Sequence, residues 1–160
     1  MTSNLSPPTR VSVGDAARAG TLAWALSGLP STLWSLARGE NSLAAVRAAG
    51  TLVLSPTVSP SSLVVAGAGA HTVVSFGWST LLALGLPPHR TLAAGGAAGL
   101  AIAALDLGVV ARRYPAIRAL PMLPQVADHL AFGFIVAAVV RRGRRRRHTG
   151  GPAHLPLTGI

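Results

Sequence analysis

Residues 91–111 read TLAAGGAAGLAIAALDLGVVA, and this stretch decides the fold class. Its twenty-one residues hold a single formal charge, Asp106, among eight Ala and four Gly. At 1.5 Å per residue, a helix of this length covers the roughly 30 Å hydrocarbon core of a bilayer. Gly95, Gly99, Ala103 and Asp106 are spaced by four, four and three, so a small-residue stripe and the acid share one helix face. Backbones approach closely along such a stripe, which predicts a helix packed against a neighbour. Its five Leu/Ile and two Val supply about 3 kcal/mol toward insertion, and one central Asp consumes up to about 3. The helix is therefore expected to enter a membrane beside neighbours that shield the carboxylate.

The rest of the composition agrees. The chain has 160 residues, 50% hydrophobic and only 11% charged. Its net charge is +10, from fourteen basic residues that are all Arg against Asp15, Glu40, Asp106 and Asp128. Soluble domains carry about 25% charged residues, so this set cannot solvate a compact water-facing surface. A soluble enzyme and a soluble nucleic-acid binder are excluded on that ground. With no Cys there is no disulfide framework, thiolate metal site or Cys nucleophile. Arg used without Lys, beside abundant Ala and Gly, fits a GC-rich bacterial genome and makes the bacterial plasma membrane the expected location.

Working outward, residues 19–37 are uncharged and read as the first span, with Pro30 bending it because proline lacks a donor N–H. The stretch follows Arg10 and Arg18 as a secretion signal would, but it has no small-residue cleavage site and reads as retained. Residues 1–13 are expected to be a flexible tail. Residues 42–54, with Arg47 at their middle and Pro56 and Pro60 beyond, are too short to cross and suit an interfacial or re-entrant helix. Residues 62–86 form the second span, closed by Pro87 and Pro88, and 91–111 the third. A basic, proline-broken connection leads to Pro124, suited to a first helical turn, and residues 124–140 make the fourth span. Residues 141–160 are expected to be a basic, disordered tail. The predicted architecture is all-α and polytopic: four transmembrane helices plus one short interfacial helix within a membrane domain at 14–140.

Orientation rests on Arg141, Arg142, Arg144, Arg145, Arg146 and Arg147. Six arginines in seven residues beyond a span place that end in the cytoplasm, and four crossings return the N-terminus there too. The same block suits the phosphates of anionic lipids, at about 1 kcal/mol per arginine. No aromatic interleaving or nucleic-acid module accompanies it, so nucleic acid is not an expected partner.

Ionisable groups inside spans are costly and commonly mark a pathway. Helical depth puts Asp106, Asp128 and His129 near one membrane face with His71 deeper, so the four could line one polar pocket. Arg112 and Arg113 stand beside it as candidate ion-pair partners. His and Asp on separate helices fix no ligand spacing, so neither a metal nor another cofactor is expected. No Ser-His-Asp, His-Glu-x-x-His or paired-carboxylate motif has catalytic spacing, and no enzyme is expected.

His71-x3-Ser75, the Gly-rich third span ending in an acid, Leu120-Pro121 and Asp128-His129-Leu130-Ala131-Phe132-Gly133 give the chain a resemblance to the YagU-like family of small bacterial inner-membrane proteins, over about residues 65–140. The resemblance implies a multi-span membrane protein and carries over no catalytic residue. The expectation is a structural or accessory membrane component that packs with itself or with another membrane protein. The alternative is an oligomeric proton or small-solute transporter built on the His/Asp cluster.

Overall fold

Ser12 opens the first helix. Its hydroxyl accepts from the Asp15 N–H at 3.1 Å and donates to Asp15 Oδ2 at 2.9 Å, which satisfies one of the donors a helix start leaves free. In the computed structural model, which describes residues 11–149, the chain is helical throughout and no strand occurs among those residues. The elements are α1 (Val13–Leu26), α2 (Leu29–Ala37), α3 (Ala44–Gly50), α4 (Pro60–Gly85), α5 (Thr91–Gly108), a 3₁₀ turn (Val110–Arg112), α6 (Pro115–Arg118) and α7 (Met122–Thr149).

Several boundaries differ from the sequence expectation. The bend expected at Pro30 is a full break: α1 stops at Leu26, and α2 begins at Leu29 with Pro30 in its first turn. Neither piece, at 14 and 9 residues, is long enough to cross alone. The helix expected over 42–54 is only seven residues, α3, followed by turns. At its far end α7 does not stop near residue 140. It runs through the arginine block to Thr149, so 141–149 are helical where a disordered tail was expected. Residues 1–10 of the expected N-terminal tail and 150–160 of the C-terminal one lie outside the described residues.

Glycines set the packing. A Cβ on Gly133 of α7 would overlap the Gly95 carbonyl of α5, and one on Gly99 would overlap the His129 carbonyl, so the two backbones touch. The pairing of 95 with 133 and 137, and of 99 with 129, makes these helices antiparallel. In the same way Gly50 and Gly67 seat α3 against the start of α4, Gly67 facing Val46 and Gly50 facing Leu63. Gly20 of α1 lies under the Phe76 ring of α4, where a Cβ would come within 2.7 Å of the ring. The small-residue stripe read on residues 95–103 is thus a helix-packing face.

Small side chains dominate the interior, and many large apolar ones are exposed. The shared core of α1, α4, α5 and α7 is built largely of Ala19, Ala23, Ala83, Ala137, Val136 and Val140, with Phe132 and Ile102. The bulkiest fully buried side chains are Val136, Val140 and Ser79. Large apolar side chains point outward instead: Val73 is 74% exposed, Leu84 73%, Val65 73% and Leu36 61%. Two segments, Thr91–Arg112 and Met122–Arg147, are long and apolar enough to cross a membrane. α4 has the length, 26 residues, but Ser, Thr, Gly and His dilute its apolar character.

Candidate functional site

Asp106 and His129 meet where α5 crosses α7. His129 Nε2 lies 3.0 Å from Asp106 Oδ2, and its Nδ1 lies 2.7 Å from the Gln125 carbonyl one turn back. A carbonyl only accepts, so Nδ1 carries a proton. One further proton is then shared between Nε2 and Oδ2. Gly99 makes the contact possible by bringing α5 onto the His129 backbone.

Asp128 is next in sequence but serves another partner. Its Oδ1 accepts from the Ser31 N–H at 2.9 Å, in the first turn of α2. Gly28, which precedes that helix, offers no side-chain cap, and α7 supplies the missing acceptor at the positive end of α2. His71 has a third partner: its Nε2 donates to the Trp24 carbonyl in the last turn of α1 at 3.1 Å.

Of the four residues expected to line one pocket, only Asp106 and His129 bond to each other directly; Asp128 and His71 bond the backbones of other helices, while Asp128 lies near enough to His129 and to His71 to interact electrostatically. Arg112 and Arg113 are exposed, and neither reaches a carboxylate within ion-pair distance among the described residues. Among those residues, too, no group of three or more His, Asp or Glu is placed to hold a metal ion. A cavity of about 60 Å³ lies beside the cluster, bounded by Ser31, Trp34, Glu40 and Gln125 among others. The buried indole N–H of Trp34 has no protein partner, and a cavity of this size and polarity suits water.

A second polar centre, at the other end of α7, was not anticipated. Arg147 pairs with Asp15, and Arg144 donates to the Leu86 carbonyl that ends α4 at 2.7 Å. The Arg147 guanidinium holds the Asp15 carboxyl below the usual carboxylate range, aided by Ser12 and opposed by burial. Gly143, which interrupts the arginine run, has its reason here. A Cβ at 143 would lie 2.6 Å from the Asp15 carboxyl, so glycine lets the start of α1 dock on α7. Ser12-x-x-Asp15 does signal a helix start in the sequence, but nothing there links Asp15 to an arginine 132 positions on.

No protein-family model, curated protein or solved structure matches the chain.

Proposed function

We propose that this protein is an integral membrane helical bundle with a structural or accessory role in a bacterial plasma membrane, crossing it four times, the first time through α1 and α2 together. The observation that carries this reading is the many large apolar side chains exposed around a core built mainly of Ala, Gly and Val. In water such a surface would aggregate, whereas in lipid it is solvated and the small residues drive helix contact. The start of α1, the end of α4 and the arginine end of α7 are in contact at one end of the bundle, and the positive-inside rule supports reading that end as cytoplasmic. Asp128 and His71 each bond the backbone of another helix, which supports a structural use of costly polar groups.

Single cysteines placed at Glu40, Arg90 and Thr149 test the architecture, since the chain has none of its own. In intact cells an impermeant thiol reagent is expected to label position 40 and spare 90 and 149. External labelling at 90 would overturn the topology, and extraction of the protein by alkaline carbonate would overturn membrane integration.

One observation favours a second reading, an oligomeric proton path. The cavity is bounded by Ser31 and Gln125, the two residues whose backbones hold Asp128 and His129. If proteoliposomes show proton flux that Asp106→Asn and Asp128→Asn abolish without loss of folded protein, transport replaces the structural role.

A further inference from the structure

The arginine block divides by helical phase. Arg144 and Arg147 turn inward, to the Leu86 carbonyl and to Asp15, whereas Arg141, Arg142, Arg145 and Arg146 are exposed and form no ion pair among the described residues. On the outer side Phe134, Ala138, Arg141 and Arg145 are spaced by four, three and four, so one stripe runs from apolar to cationic. Phe134 is 44% exposed, and its ring lies across Gly96 of α5, where a Cβ would come within 2.8 Å of it. Ala138, one turn further along, is exposed. Phe134 thus covers Gly96, and the exposed outer stripe of α7 is apolar up to Ala138 and cationic beyond it. Arg90, at the start of α5, comes level with the arginine end because the helices are antiparallel. The acid at this end, Asp15, is already held by Arg147.

We propose that this stripe seats one anionic phospholipid, its acyl chain along Phe134 and Ala138 and its phosphate between Arg141 and Arg145, with Arg90 adding positive charge at the same level. The proposal rests on the membrane reading above and adds a particular lipid site to it. From Phe134 to Arg145 the helix rises about 16 Å, enough to present both the upper acyl chain and the headgroup phosphate. An exposed apolar stripe alone accepts any lipid. The two arginines select the phosphate of a lipid with net negative charge, because a neutral zwitterionic headgroup carries its own cation. The inward pair matters as well: by fixing the end of α7 on α1 and α4, it holds the outward arginines in one arrangement before lipid arrives, which reduces the ordering cost of binding.

Delipidated full-length protein in a neutral detergent, titrated with phosphatidylglycerol or phosphatidylcholine and read by native mass spectrometry, tests the site. Phosphatidylglycerol is expected to bind at least about tenfold more tightly. The Arg141→Gln/Arg145→Gln variant should lose about 30-fold, roughly fivefold per arginine, while the Arg112→Gln/Arg113→Gln variant, with the same charge removed at the other end, keeps wild-type binding. Inorganic phosphate at the same concentration should not displace the lipid. Equal binding of the two lipids, equal loss in the two variants, or displacement by phosphate would each overturn the proposal. Should the variant at 141 and 145 not fold, Ala138→Glu supplies the test instead. It places a repelling carboxylate under the headgroup and should weaken phosphatidylglycerol alone; unchanged phosphatidylglycerol binding in that variant would also overturn the site. Carbonate extraction of the wild-type protein reports separately on membrane integration, so failure of the lipid site and failure of the membrane reading give different results.

Discussion

At the residue scale, the contact of Asp106 Oδ2 with His129 Nε2 sets what substitutions can do. Asn at 106 still accepts from or donates to Nε2 of a His129 whose Nδ1 stays on Gln125, so Asp106→Asn should cost less than about 1 kcal/mol. Asp106→Leu removes the partner of a half-buried nitrogen and should cost about 1–3 kcal/mol, read as a fall in thermal midpoint in detergent. Asp15 gives a pH signature. Its carboxyl titrates lower in the fold than in the unfolded chain, where it titrates near about 3.9, so its contribution is complete above that value and lost as pH falls through the lower, folded value. Below about pH 4 the wild-type protein should therefore lose more stability than Asp15→Asn, which is already weakened at neutral pH. The residue identities and the cost of burying them were legible in sequence; their partners were not. Asp128 and His129 are adjacent in the chain yet point to different helices, a separation that depends on where α2 and α5 dock around α7.

At the scale of elements, the Gly-rich third span was read as a packing helix, and the backbone contact of α5 with α7 is where that reading holds. The partner surface was less visible: Gly133, within the His129-x3-Gly133 face, is the residue that admits Gly95. Gly133→Val forces the pair apart and should destabilise by about 1–3 kcal/mol or more, whereas Gly77→Ala on α4, with open space around it, should be neutral or slightly stabilising. Thermal unfolding of the two variants side by side checks this. Helix ends were the least legible feature. Pro30 announces an interruption, but whether it bends a helix or starts a new one depends on Asp128 arriving from α7 to cap Ser31. The arginine run has no apolar period of its own, and its helix is held by contacts with α1 and α4 that local sequence does not contain.

At the scale of the whole molecule, the distribution of apolar side chains is the property under test. Val73 lies on the outer face of α4, and on a water-facing surface Val73→Lys would be nearly free. In a bilayer the same change costs about 2.5–3.5 kcal/mol near the middle of a span. The fraction of Val73→Lys protein recovered in carbonate-washed membranes should fall well below that of Thr149→Lys at the arginine end. The long uncharged runs rich in Ala, Leu and Gly carried the all-helical class, because such runs reach spanning length only as helices, and glycine and proline spacing marked where helices touch and break. Only the tertiary structure decided which ionisable groups meet, why Gly143 interrupts the arginines and which of those arginines face outward. These depend on the relative rotation and depth of helices far apart in the chain, and no local periodicity encodes that.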